Sequence, residues 1–215
     1  MIKFPTMTFC VALISMASVV VILSCASARS QDFPALSEVV ISGRNGDLGA
    51  ALTSNVWSES DLGGALFAAA GTHNPEAARL LIASGADVDF SVLQRTPLIV
   101  SIVEDSPGVS AVLLDAGADP DFSSSFEWRP LHFAIGKGFS RDEIIRLLLA
   151  HGADIDARTN LSVTPLHRAA GFCRNSAVEI LLAHGAKKNA RDKYGRTAAE
   201  RASRAGCDDV AALLR

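Results

Sequence analysis

The composition of the 215-residue chain excludes several classes of protein before any motif is considered. With 49% hydrophobic and 20% charged residues, the chain has the balance of one ordinary globular domain and leaves little room for a second. Its formal net charge of −3 gives no sign of the broad basic surface that nucleic-acid binding requires.

The first predicted element is an export signal. Lys3 is the only charged side chain before Arg29, and the uncharged segment between them includes FCVALISMASVVVIL over residues 9–23. A core of this length is short for a membrane span, which needs roughly 20 residues, and is typical of a signal peptide. We therefore predict a signal peptide over 1–24 and a linker over 25–32, with the folded part outside the cytoplasm.

Two cleavage sites follow this core. ILSC at 22–25 resembles a bacterial lipobox, in which Cys25 becomes the lipidated first residue, although Leu23 is a less usual residue at its position. ASA at 26–28 fits ordinary signal peptidase, which would cut before Arg29. We favour the lipoprotein and leave open a cleaved soluble protein or an uncleaved anchor. The expected location is the bacterial periplasm, or the outer membrane with the protein facing the periplasm.

Residues 33–60 have the pattern of a degenerate helix pair. Leu36 and Val40 belong to a first short helix, a turn follows at 43–46, and Leu48 and Leu52 belong to a second helix. We predict an N-terminal cap here, because the end of a stack of repeated units differs from its middle.

A repeating pattern occupies the rest of the chain. The glycines of four similar segments, such as LLLAHGADIDA at 147–157, are separated by 32, 35 and 33 residues: Gly85, Gly117, Gly152 and Gly185. Between them recur TPLIVSI at 96–102, RPLHFAI at 129–135 and TPLHRAA at 164–170, with weaker forms at 64–70 and 197–203. The predicted units are repeats at about 61–90, 91–122, 123–157 and 158–190 and a C-terminal cap repeat at 191–215.

A period of about 33 residues that carries T-P-L-H-x-A-A and L-L-x-x-G-A resembles the ankyrin repeat. The resemblance covers about residues 64–215 and implies an all-α solenoid of stacked helix–turn–helix units with extended hairpin fingers. The residue types agree with it. Thr164 can cap a helix, Pro165 suits the first helical position, and Gly185 suits a left-handed helix end.

Cys173 and Cys207 remain in the folded part. An oxidising compartment permits a disulfide between them. Their separation is close to one repeat, however, and equivalent positions of stacked repeats lie too far apart for an unassisted bridge. Two partly buried free thiols are the favoured interpretation, with the disulfide left open.

The resemblance also implies a binding surface on the finger tips and on the inner surface of the first helices. Apolar residues on successive fingers would form a continuous strip with Trp128 as an anchor, unless Phe126 or Trp128 packs under the adjacent finger. The glycine usual in the finger is present only at Gly195. Transferred copy by copy, the predicted contact residues are Val92, Leu93, Arg95, Phe126, Trp128, Lys137, Leu161, Val163, Phe172 and Tyr194.

Charge is divided unevenly along the chain. Residues 31–157 hold 7 Lys+Arg and 18 Asp+Glu, whereas residues 158–215 hold 11 and 5. The N-terminal units of the stack should therefore be acidic and the C-terminal units basic. This polarity either orients a protein partner or reflects no more than solvated faces.

No recognised catalytic, metal or phosphate-binding motif accompanies the repeats. His132 and His167 stand singly in the PLH segments, where the resembled family uses histidine to bond neighbouring backbone. DVD at 87–89, DPD at 119–121 and DID at 154–156 have the pattern of hydrogen-bonding turns. We predict a monomeric protein that is not an enzyme, needs no cofactor or metal, and binds no nucleic acid.

These observations predict a protein–protein interaction module of the bacterial cell envelope. Its role would be that of an immunity or inhibitor protein, or of an accessory scaffold, with membrane attachment through Cys25 if the lipobox is used. The alternative is an envelope hydrolase or metal-dependent enzyme with an unrecognised site.

Overall fold

The computed structural model describes residues 36–136 and 139–215, and within these it places helices in successive antiparallel pairs. The predicted signal peptide, the linker, Cys25 and Lys137 lie outside the described residues. No helix among the residues described is long and apolar enough to cross a membrane. The α-helices are, in chain order, α1 Leu36–Ile41, α2 Asn45–Ser54, α3 Glu59–Gly71, α4 Pro75–Ala83, α5 Pro97–Val103, α6 Pro107–Asp115, α7 Pro130–Phe133, α8 Asp142–Ala150, α9 Pro165–Gly171, α10 Asn175–Ala183, α11 Ala198–Ala205 and α12 Asp208–Leu214.

The first helix of a pair begins at the residues that the sequence indicates. At α9, the Thr164 hydroxyl accepts a hydrogen bond from the backbone N–H of His167, and Pro165 is the first helical residue. Thr96 and Pro97 begin α5 in the same way. The hydroxyl satisfies one of the N–H groups that has no partner inside the helix, and proline at the first position sacrifices no hydrogen bond.

The second helix of the four middle pairs, α4, α6, α8 and α10, ends at a glycine–alanine pair. The φ angles of the four glycines lie between 84° and 91°, a region that favours glycine because a side chain would be strained there. The alanine after each glycine donates its N–H to the carbonyl five residues earlier, as Ala153 does to Leu148 at 3.0 Å. This bond satisfies a carbonyl of the last helical turn, so the glycine–alanine pair recurs because every copy needs the same helix end.

The core lies between neighbouring helix pairs. The first helices contribute Leu66, Leu98, Leu131 and Leu166, all fully buried. The second helices contribute the equally buried Leu81, Leu113, Leu148 and Leu181. A single helix pair could not bury these groups on its own, so each unit is stabilised by the units on either side of it. The spacing of Val178, Leu181 and Leu182 predicts that all three are buried, but Leu182 is only half-buried.

The third unit departs from a purely helical pattern. Helix α7 is only four residues long, and it is followed by β1 Ile135–Gly136 and β2 Phe139–Ser140, which pair antiparallel. Ile135 of the RPLHFAI segment therefore belongs to a small hairpin and not to the first helix as the aligned copies suggest. The hairpin does not interrupt the stacking of α7 and α8 on their neighbours.

The aspartates of the predicted turns form a ladder between units. The carboxylate of Asp89 accepts the backbone N–H of Asp119 at 3.1 Å, and that of Asp121 accepts the N–H of Asp154 at 3.0 Å. The third rung joins Asp156 to the N–H of Lys187, also at 3.0 Å. The prediction that these carboxylates are hydrogen-bonding turn residues is therefore confirmed, and they tie each turn to the next.

The cysteine pair differs from the favoured expectation, because Cys173 and Cys207 form a disulfide with their Cα atoms 5.3 Å apart. The expectation of free thiols was wrong because it treated the two cysteines as equivalent. The two copies are offset by 33 residues, so the counterpart of Cys173 is Gly206 and that of Cys207 is Arg174. Cys173 lies in the turn after α9, whereas Cys207 immediately precedes α12. The bridge therefore joins neighbouring positions of adjacent units.

Candidate protein-binding surface

Four large apolar side chains occupy the same place on four successive fingers. We give the name fingertip column to Leu93, Phe126, Leu161 and Tyr194. Each stands five residues before the same position of the first helix that follows, which is Leu98, Leu131, Leu166 and Ala199 in turn. Their exposed fractions are 76%, 73%, 40% and 67%. Turns at a protein surface are normally polar. An apolar side chain that recurs at the tip of each finger is therefore a candidate contact surface.

Hydrogen bonds join the fingers side by side. The N–H of Asn160 donates to the carbonyl of Phe126 at 3.1 Å, and the N–H of Lys193 donates to the carbonyl of Leu161 at 2.9 Å. The Ser124 hydroxyl donates to the carbonyl of Gln94 at 2.7 Å. The fingertip column is thus carried by linked loops, which fixes the order in which its side chains are presented.

The backbone of two finger tips is strained. Leu93 and Phe126 have φ angles of 51° and 60°, and the residue that follows each also has a positive φ. A bulky side chain in this left-handed region costs about 1–2 kcal/mol relative to the ordinary conformation. Gln94 and Glu127 occupy the position of Gly195, so these two fingers keep the turn without glycine and hold an exposed apolar side chain next to it. Strain of this kind is characteristic of positions kept for function.

Trp128 is half-buried beside the fingertip column. Its ring centroid lies 5.3 Å from that of Phe133 and 6.1 Å from that of His132. The guanidinium of Arg168, from the next unit, lies 4.2 Å from the Trp128 ring centroid. Trp128 therefore packs against the first helices of its own unit and of the following one, whereas Phe126 stays exposed.

One cleft of about 210 Å³ brings together four of the predicted contact residues, namely Trp128, Leu161, Val163 and Phe172. Phe172 and Trp128 both lie beside Arg168, whose guanidinium is 4.9 Å from the Phe172 ring centroid. The remaining lining residues are His132, Thr159, Asn160, His167, Gly171 and Arg201. The cleft thus combines aromatic walls with two guanidinium groups.

The other predicted contact residues lie away from this cleft. Val92 and Arg95 are half-buried at the base of the finger that carries Leu93, where each N–H donates to the other's carbonyl at 3.0 Å. Tyr194 lies on the last finger, with the Arg196 guanidinium 4.6 Å from its ring centroid. The predicted surface therefore comprises the fingertip column and, beside it, the cleft.

Each histidine of the PLH segments joins its own unit to the next finger. Nδ1 of His132 accepts the N–H of Arg129 at 3.3 Å, and its Nε2 donates to the carbonyl of Val163 at 3.0 Å. His167 bonds in the same way to Thr164 and to the carbonyl of Arg196. Both histidines are buried, so their role is structural, as predicted. No group of three or more metal-ligating side chains is placed to hold an ion in the described part of the chain.

We expect His132 to make the stack sensitive to acid. Burial lowers the pKa of His132 to about 4, whereas the unfolded chain has a histidine pKa of about 6.5. The unfolded state therefore binds the proton first, and stability present above pH 6.5 falls by about 3 kcal/mol as the pH approaches 4. Urea denaturation between pH 7 and pH 4 should show a steeper loss for the wild type than for His132→Gln. Equal pH dependence of the two proteins would contradict this assignment.

The sequence prediction of contact residues missed the two arginines of the cleft. Arg168 occupies the position of the first helix that is apolar in the preceding units, where Ala68, Val100 and Phe133 stand. Arg201 occupies the same position in the last unit. The sequence does show that this repeat position changes from apolar residues to arginine in the last two units. It does not show which side chains of the neighbouring fingers contact these arginines.

Comparison with protein families agrees with this geometry. Residues 109–192 and 131–215 match the family described as ankyrin repeats (3 copies). No curated protein matched the chain in a sequence comparison. The helix pair α3–α4, which precedes the matched region, has the same buried leucines and the same terminal glycine as the later pairs. The chain therefore contains ankyrin repeats, and its described residues form an all-α ankyrin solenoid.

Proposed function

We propose that this protein is a binding module of the bacterial cell envelope that holds a protein partner along the fingertip column and the adjoining cleft. Ankyrin repeats are generally non-enzymatic modules for protein–protein interaction. The observation that carries the proposal is the fingertip column itself. Apolar side chains are exposed there at four equivalent places, two of them with a strained backbone, although they add nothing to the core.

Two features support a place in the envelope. The N-terminal sequence has the pattern of an export signal, and the disulfide between Cys173 and Cys207 is of a kind that persists in oxidising compartments. Within the envelope, we propose either an immunity or inhibitor protein, which covers the active site of a toxic effector, or an accessory scaffold for an envelope enzyme. An inhibitor would abolish the activity of its purified partner, whereas a scaffold would leave that activity unchanged or raise it.

We expect Phe126→Gly to weaken partner binding without loss of stability. The change removes an exposed contact side chain and also relieves a positive φ, so the free energy of unfolding should stay the same or rise by about 1 kcal/mol. Affinity for a partner recovered from envelope extract should fall by about 2 kcal/mol, as for a central aromatic contact. Binding isotherms and thermal melts of the same protein separate the two effects.

The matched control is Val56→Ser, which removes another fully exposed apolar side chain from outside the fingertip column. It should change neither affinity nor stability. Trp128→Ala should lower both, because Trp128 packs against Phe133 and Arg168. If Phe126→Gly keeps full affinity, the fingertip column is not the contact surface.

We also propose that Cys25 is lipidated, and the corresponding prediction concerns membrane attachment. Acylation with two or more chains gives stable anchoring, whereas one chain gives only reversible binding. A clickable fatty-acid probe should label the wild-type protein in growing cells and should not label Cys25→Ala. An unlabelled wild-type protein whose mature form begins at Arg29 would show instead that the alternative cleavage site is used.

A further inference from the structure

We propose that the cleft between Trp128 and Phe172 binds an acidic peptide segment of the protein partner, with Arg168 and Arg201 donating hydrogen bonds to its carboxylates. This inference rests on the proposed protein-binding function and deepens it, because it states the chemistry that the partner presents at one end of the contact surface.

The first observation is that Arg168 is held in a fixed orientation. Its guanidinium lies over both the Trp128 and the Phe172 rings, at 4.2 Å and 4.9 Å from their centroids, and its Nε–H donates to the carbonyl of Ile135. The two terminal nitrogens have no acceptor among the residues that the structure describes. A planar guanidinium fixed in this way presents a pair of donors that matches the geometry of a carboxylate.

The second observation is that the positive charge in the cleft is poorly compensated. No carboxylate in the described ranges forms an ion pair with Arg168, and burial, followed by the positive charge of Arg201, lowers the pKa of Arg168 to about 10. Asp192 pairs with Arg196 at 2.8 Å and reaches Arg201 only at 4.0 Å. Nη1 of Arg201 is buried without a hydrogen-bond partner in the described part of the chain. An incoming carboxylate would satisfy donors that the folded protein leaves without acceptors.

The third observation is that the repeat position of Arg168 and Arg201 carries arginine only in the part of the chain that is net basic. The two units that place arginine at this register lie within residues 158–215, which hold 11 basic and 5 acidic residues. Leu161 belongs to the fingertip column and also lines the cleft, so the apolar and the basic surfaces are continuous. The segment that fits them carries carboxylates next to an apolar side chain.

The shape of the cleft favours a peptide over a phosphate-bearing surface. Two guanidinium groups lie in a space of about 210 Å³ with aromatic walls, which suits an extended side chain. A membrane surface or a nucleic-acid duplex is instead bound by basic groups spread over an exposed face. Binding to anionic lipid is therefore an outcome that would overturn the proposal.

The test uses the full-length chain in mild detergent and a displayed library of random linear peptides. The wild-type protein should enrich sequences with Asp or Glu next to an apolar residue. Arg168→Gln should weaken binding of the selected peptide by roughly tenfold or more, as expected for the loss of a charged hydrogen-bond donor. Arg168→Lys should also weaken it, because a point charge lacks the planar pair of donors. Arg201→Gln provides a second variant, which should also weaken peptide binding while it keeps the hydrogen bond between Arg168 and Ile135.

The matched control is Arg204→Gln. It removes a positive charge from an exposed position of α11, the helix that also carries Arg201, and should leave peptide affinity within about twofold. Enrichment of neutral or basic sequences would overturn the proposal, and so would equal losses for Arg168→Gln and Arg204→Gln. Sedimentation of the Cys25→Ala protein with phosphatidylglycerol vesicles, lost in Arg168→Gln, would identify a lipid surface instead. If the peptide result fails while Phe126→Gly still loses its natural partner, only the assignment of the cleft is wrong.

Discussion

Leu148→Asp is expected to lower the free energy of unfolding by about 3–5 kcal/mol, the range measured when a buried charge has no partner. Leu148 is fully buried in α8, which packs between α6 and α10. A carboxylate there would have no water and no cation to offset its desolvation. Because each unit is stabilised only by its neighbours, the substitution should weaken the interfaces on both sides of the third unit.

Urea denaturation followed by circular dichroism would measure this loss. Arg146→Asp is the control, because it places the same carboxylate on the exposed side of the same helix and should change stability by less than about 1 kcal/mol. An unchanged midpoint for Leu148→Asp would mean that the register of the repeats is wrong.

Removal of the disulfide is the second change with a large expected effect. Cys173 and Cys207 are separated by 34 residues, and closing a loop of that length stabilises a fold by about 4 kcal/mol through the entropy of the unfolded chain. The double variant Cys173→Ser, Cys207→Ala should lose about that much stability, since its unfolded chain is no longer cross-linked.

The reductant provides an internal control for this prediction. Dithiothreitol should lower the melting temperature of the wild-type protein to that of the double variant and should leave the double variant unchanged. The loss should begin in α11 and α12, which the bridge ties to the turn after α9, and hydrogen exchange would locate it. A wild-type melt that does not respond to reduction would contradict the expected contribution.

Local signals in the sequence predicted much of the fold. Thr164, Pro165 and Gly185 affect only the few residues beside them, so the helix ends can be predicted from a single copy. The other copies repeat the same residues and strengthen the prediction. The aspartates of the turns and the two PLH histidines were also interpreted correctly, because their partners lie at a constant register in the next unit.

The features that sequence analysis missed depend on contacts between units. The two cysteines are 34 residues apart, one more than the 33-residue offset of their copies, and only the geometry of the turn between α9 and α10 shows that these neighbouring positions meet. The hairpin of the third unit takes up Ile135 and Gly136, whose counterparts in the next copy, Ala170 and Gly171, end a helix. The role of Arg168 depends on the contacts of its guanidinium with Trp128 from the preceding unit and with Phe172, which the sequence alone does not show.

The aspartate ladder has a consequence for how such a chain can evolve. Every rung joins an acceptor four residues after one terminal glycine, such as Asp89, to a donor two residues after the next, such as Asp119. Because both ends of the rung stand at a constant register, an in-frame duplication of one period creates a unit that already matches the units before and after it. A deletion of one period likewise leaves no unmatched rung inside the stack. The number of units can therefore change by unequal recombination without any compensating substitution in the turns. Selection would then act on the side chains at the finger tips of the new unit.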